Sequence, residues 1–198
     1  MKAIQNPKTS KLERERATDR LTSLSQFIVQ HARDIAEIAG SQNLARHDPV
    51  RHQAVIYFKG HIRRKIAKVF MVDEVIQLVD LSIKLLLDSN IQVSLNTHLE
   101  DALYKSLKRA SALNSGISMS ILQDFIQNKV KTIDRSTNTA DIDGVLKILI
   151  CLLRCIEDKN IYPEVIDEVF RITNPHMMQN LFQSLLQLYN TPVNHVDR

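Results

Sequence analysis

The chain has little of what turns and sheets are built from. Four glycines and five prolines among 198 residues leave few places for tight turns, tryptophan is absent, and aromatics make up 5%. Sheet proteins draw on more turn residues and more aromatics than this. With so few glycines neither GxGxxG nor GxxxxGK[ST] can be assembled, which excludes the glycine-cradled nucleotide sites. HExxH is also absent, and His47, His52 and His61 are spaced so that they do not put three ligands on one helical face. The two cysteines, Cys151 and Cys155, stand four apart in a helical pattern. That spacing is poor for a disulfide between them and too sparse for zinc. No metal and no cofactor is expected. The longest apolar runs, such as Leu85 to Leu87 and 148–153, fall far below the ~20 residues that span a bilayer. Without a secretory signal or a disulfide framework, the expected setting is soluble and reducing: cytoplasmic or nuclear, not secreted.

What the chain does have is helical periodicity. Hydrophobic residues at 44% and charged ones at 24% are the balance of an ordinary globular protein, long enough for one substantial core. The expected fold is all-α: a compact multi-helix bundle of about seven or eight mostly antiparallel helices, joined by short links as in a bundle or a short helical stack. No motif recurs at a fixed period, so no repeat family is claimed. Residues 1–9 lack periodicity and read as a flexible N-terminus. A single helical domain is expected over 10–190, and 191–198 read as a tail. A domain boundary, if one existed, would fall in the polar stretch 134–140.

Charge divides the domain. Residues 1–70 hold fourteen Lys and Arg against six acids, and residues 71–198 hold twelve against sixteen. A basic front and an acidic back call for an anionic partner at the front, or for head-to-tail contact between copies. The densest stretch is 46–68, with seven cations against Asp48 alone. Asp48 can cap a helix that has Pro49 at its first position. In that helix Val55, Phe58, Ile62, Ile66 and Val69 form a buried stripe at three- and four-residue steps. Tyr57, His61, Arg64 and Lys68 follow the same rhythm on the other side, with Lys65 beside them. Gly60 weakens the helix by ~1 kcal/mol relative to Ala and marks where it would kink. Helix, link and basic helix also follow the order of a helix-turn-helix. That reading is weak, because the link is too long and the cations lie in the second half.

Ahead of this stretch, Ser10 and Glu13 read as a capping box, and Gly40 ends the helix they begin. Ala17, Leu21, Leu24, Ile28, His31, Ile35 and Ile38 recur as a heptad-like seam. The plain reading is a helix packed on the core, with His31 hydrogen-bonded inside it. The sharper reading is a self-association surface made by Leu21, Leu24, Ile28, Ile35 and Ile38. Behind the basic stretch, helices are expected from Asp73 to Leu87 and from Ser94 to Leu113, and from Ser118, which can cap its own. Others follow from Asp141 or Asp143, over 163–170, and from Asn174. Cys151 has Lys147 and Arg154 near it, and cations lower a thiol's pKa, but no histidine stands as its base. Carboxylate pairs such as Asp141 and Asp143 sit at helix ends, where they act as caps and dipole partners. No catalytic residues are assigned.

The leading expectation is therefore a non-enzymatic, self-associating helical protein that binds RNA or DNA, chiefly at phosphates. Its contacts would be Arg46, Arg51, Tyr57, Lys59, His61, Arg63, Arg64, Lys65 and Lys68, with Tyr57 able to stack on an unpaired base. The rival is a protein–protein scaffold or adaptor whose basic face meets an acidic protein partner. An anionic membrane surface is weaker still, because the apolar stripe of the basic helix is needed for the fold.

Overall fold

The computed structural model describes residues 11–130, 139–156 and Asp167. Six α-helices run through them: α1 (Lys11–Ala39), α2 (Pro49–Lys65), α3 (Val72–Leu86), α4 (Asn96–Leu113), α5 (Ile117–Phe125) and α6 (Thr139–Arg154). Short 3-10 turns at Ile66–Lys68 and Val93–Leu95 lead out of α2 and into α4, and α5 continues as a π-helical turn over Ile126–Val130. No strand occurs among the described residues. The chain is all-α. The helices expected over 163–170 and from Asn174, the stretch 134–138, Ser10 and both chain ends lie outside the described residues.

Successive helices pair into three layers. α1 packs with α2 and α3 with α4; α1 lies on α3 and α2 lies on α4. α6 then packs across α4, with α5 alongside and α3 touching it. Burial is densest along α6 and the two residues after it, where ten of residues 141–156 are buried and only Arg154 is exposed. In α3, Val75, Leu78, Val79, Leu85 and Leu86 are buried, as the nearly all-round apolar pattern of that helix requires. In α4 the stripe Leu99, Ala102, Leu103, Leu107 and Ala110 is buried. Where α6 meets α3, Gly144 lies so close that a Cβ there would stand 2.7 Å from the Leu86 carbonyl oxygen.

Two local expectations are corrected. Ser118 does not cap α5: it is buried, and its Oγ lies 2.6 Å from Ser111 Oγ, joining α5 to α4. The α1 seam is rotated from the one the spacing gave. Its inward face is Ile28, Val29, Ala32, Ile35, Ala36 and Ala39, together with the fully buried Ser25. Ser25 Oγ donates to the Glu74 carboxylate in the first turn of α3. Of the proposed self-association residues, Ile28 and Ile35 are core, Leu21 is half-buried, and only Leu24 and Ile38 are exposed. His31 is exposed rather than internal. The cause is width, since α1 serves both α2 and α3 and alanines carry much of its inner face. A count of large apolar residues therefore finds only one edge of that face.

Candidate nucleic-acid interface

The basic stretch folds as expected in outline. Asp48 Oδ1 accepts from the Val50 amide at 2.8 Å, with Pro49 opening α2. Val55, Phe58, Ile62, Ile66 and Val69 are all buried. α2 runs through Gly60 without a break and ends at Lys65.

The nine candidate contacts divide into three groups. Arg51 and His61 face inward and leave the set. Arg51 is fully buried, and its guanidinium donates to four backbone carbonyls. Those are Ala39 at the end of α1 and Ser41, Leu44 and Ala45 in the following link, at 2.5, 2.6, 2.6 and 3.2 Å. Every branch of the fork is occupied, so none reaches an outside phosphate. His61 is buried against α1, where its Nε2–H donates to the Ile28 carbonyl at 2.9 Å.

Lys59 forms a second group by itself. It is half-buried, 3.8 Å from the Asp101 carboxylate and 3.3 Å from His98 Nδ1, so it joins α2 to α4. The third group is open. Arg46, Tyr57, Arg63, Arg64, Lys65 and Lys68 are exposed, and none of these cations has an ion pair among the described residues. Arg64 only returns its Nε to the Gly60 carbonyl at 3.0 Å. Arg63, Arg64 and Lys65 form the last turn of α2 and Lys68 the turn after it, so four cations gather at one end of the helix. The negative end of the α2 dipole also favours them there. Arg46 stands apart, beyond the other end of α2.

His61 gives this region a pH dependence. Its pKa is lowered, chiefly by burial and further by His31, Lys65 and Arg64, while the bond to Ile28 opposes the shift. The rings of His31 and His61 meet edge to face with centroids 4.9 Å apart. A histidine whose folded pKa lies below its ordinary 6.5 contributes stability that is full above that value. The contribution is lost as pH falls through the folded value. Asp80 and Glu100, both pushed up by burial, act in the opposite sense from lower starting values, and His98 acts in the same sense as His61. A comparison with His61→Gln isolates the residue. Chemical denaturation between pH 7.5 and 5 should show the unsubstituted protein losing more stability than the variant. Parallel profiles would mean that His61 does not titrate in that range.

The cysteines are poorly placed for chemistry. Burial pushes both thiols up to about 12, despite Arg154 near each. Cys151 Sγ lies 3.8 Å from the Glu100 carbonyl oxygen. An aromatic disulfide reagent at neutral pH should leave both thiols unmodified in the folded protein and react fully in denaturant, because the thiolate is the reacting form. Fast labelling of either in the native protein would contradict the packing of α6. Among the described residues, no three His, Cys, Asp or Glu side chains are grouped to hold a metal, and no helix is long and apolar enough to cross a membrane.

The sequence reading missed an apolar groove next to these cations. It lies between α1 and α2, encloses about 380 Å³, and is lined by Ile35, Ile38, Pro49, Val50, Ala54 and Tyr57 with Gln53. Its signal was present: Val50, Tyr57 and Arg64 recur every seven residues and share one face of α2. Compared with known proteins, the chain matches no family model, no curated protein and no solved structure.

Proposed function

We propose that this protein binds nucleic acid, RNA or DNA, mainly through phosphates, at the C-terminal end of α2. One observation carries the reading. Arg63, Arg64, Lys65 and Lys68 lie within six residues of chain, exposed and without an ion pair among the described residues. Cations left free in this way release counterions from a polyanion instead of exchanging one carboxylate for another. Tyr57, exposed on the face of α2 that carries Arg64, supplies a ring on which an unpaired base can stack. Arg46 extends the contact along a longer strand. The protein works without catalysis, in the cytoplasm or nucleus, as a bundle of seven or eight helices once 163–170 and the segment from Asn174 are counted, and it self-associates.

Filter binding with generic RNA and DNA at several salt concentrations tests the reading. Retention should fall with salt at a log-log slope of about −0.7 to −0.9 per phosphate contacted. Replacing Arg63, Arg64, Lys65 and Lys68 with glutamine should flatten that slope by about 3. No retention at low salt would remove the proposal. A second reading, a scaffold or adaptor that binds an acidic protein, is favoured by the apolar groove, which a phosphate backbone does not need.

A further inference from the structure

The outer face of the first layer is not finished as a terminal face should be. In stacked helix pairs each layer covers the previous one, and the last presents a polar surface to water. Here Ile38, Val50 and Tyr57 on the rim of the α1–α2 groove are 47%, 54% and 62% exposed. Phe27, 69% exposed, continues the strip along α1 and stacks on the exposed His31. The groove also has cations at both ends. Arg64 lies two turns along α2 from Tyr57, and the exposed Arg46 lies in the link that leads to Pro49. The nearby acids are already engaged: Asp34 on the α1 flank accepts from Gln30 at 2.7 Å, and Asp48 beside Pro49 accepts from the Val50 amide at 2.8 Å.

We propose that this groove receives the acidic amphipathic segment 163–170 of a second copy, so that copies join head to tail. Val165, Ile166, Val169 and Phe170 fall at the spacing of one helical face, and Glu164, Asp167 and Glu168 accompany them without a single base. Asp167, the described residue among them, is helical and exposed. The charges match: residues 157–198 hold six acids against three cations, and residues 1–70 are strongly basic. An apolar stripe with an acidic edge is the complement of an apolar groove with cationic ends.

Reach selects a second copy over the same chain. α6 ends at Arg154 in the third layer, and the groove lies in the first, between α1 and α2. Two interhelical spacings plus a helix radius put the groove at least ~21–25 Å away in a straight line through the body. From Ile156 to Pro163 the chain takes seven Cα steps, at most ~25 Å when fully extended, which only equals the straight line through the body, and the link would have to go around it. In a second copy nothing limits the approach. Such a contact joins two different surfaces, so it builds rings or chains and does not close as a simple two-fold pair. It goes beyond the nucleic-acid reading and stands without it.

Light scattering on nuclease-treated protein over a hundredfold range of concentration tests the proposal. The mass should rise from the 22.7 kDa of one chain to at least twice that, and the rise should weaken with salt. Ile38→Ser with Tyr57→Ser blocks the groove, and Glu164→Lys with Glu168→Lys blocks the segment. Each doubly substituted chain should stay at the mass of one chain. Mixed, they should form a one-to-one complex and nothing larger, since one retains a groove and the other a segment. If a variant fails to fold, a peptide of residues 161–172 added to the unsubstituted chain should dissolve the assembly, and the same peptide with both lysines should not. A mass that stays at 22.7 kDa overturns the proposal. So does an assembly that survives either pair of substitutions, or one lost with the groove pair alone, which would mean that grooves pair with grooves.

Discussion

Replacing Arg51 with alanine should lower the free energy of unfolding by about 3–5 kcal/mol, the largest single effect expected in this chain. The guanidinium is fully buried and faces no carboxylate; its partners are four carbonyl oxygens. One of these is Ala39, at the C-terminus of α1, where a helix always leaves carbonyls without partners. Arg51 therefore closes α1, folds the link of residues 40–48 against the start of α2, and neutralises a helix end. Alanine would leave these carbonyls bare in a cavity, and each unsatisfied one costs about 1–3 kcal/mol unless water enters. For a chain of this length the loss corresponds to a fall in melting temperature of roughly 6–20 °C. Arg51→Lys keeps the charge but not the fork, and should lose about half as much. The salt slope of nucleic-acid binding should not change in either variant, because the fork has no free branch. A loss under about 1 kcal/mol would show that solvent reaches the carbonyls and that the link stands without its clamp.

Periodicity made most of this fold legible. Asp48 and Pro49 announced the start of α2, and the stripe from Val55 to Val69 gave its buried side. Charge counting failed where a cation turns inward, and the sequence held the correction. Arg51 precedes Val55 by four residues, so it lies on the same stripe, and His61 lies three beyond Phe58 on the inner face. Basicity alone places both with the solvent-facing cations, although their register assigns them to the core. Lys59 differs, because its partner Asp101 lies on another helix 42 residues away, and no local pattern reports such a pair. Surface apolar residues are ambiguous in the sequence for a related reason. The spacing of Leu24, Ile28, Ile35 and Ile38 suits a core stripe and an interface equally, and only the packing of α1 against α2 and α3 separates the two.

Gly144 carries the second large effect. Substitution by alanine in mid-helix ordinarily stabilises by about 1 kcal/mol, through lower backbone entropy in the unfolded chain. Here a Cβ would stand 2.7 Å from the Leu86 carbonyl oxygen and 3.5 Å from Leu87 Cδ2, and the first of these is backbone that cannot rotate aside. The third layer would have to move off the second, against the packing of Leu146, Leu149 and Leu153 around it. Overpacking of this kind costs about 1–3 kcal/mol, so Gly144→Ala should come out net destabilising. Gly144→Val adds two methyl groups on the same side and should lose roughly 3 kcal/mol or more. Urea titration of the three proteins orders them: glycine most stable, then alanine, then valine. The exposed thiol count under mild denaturant should rise in the same order, since Cys151 lies in the helix that is displaced and Cys155 directly follows its last residue. If alanine instead gained the ordinary helical increment, α6 would have to pack on Leu86 loosely enough to move, and the burial of Cys151 would need another cause.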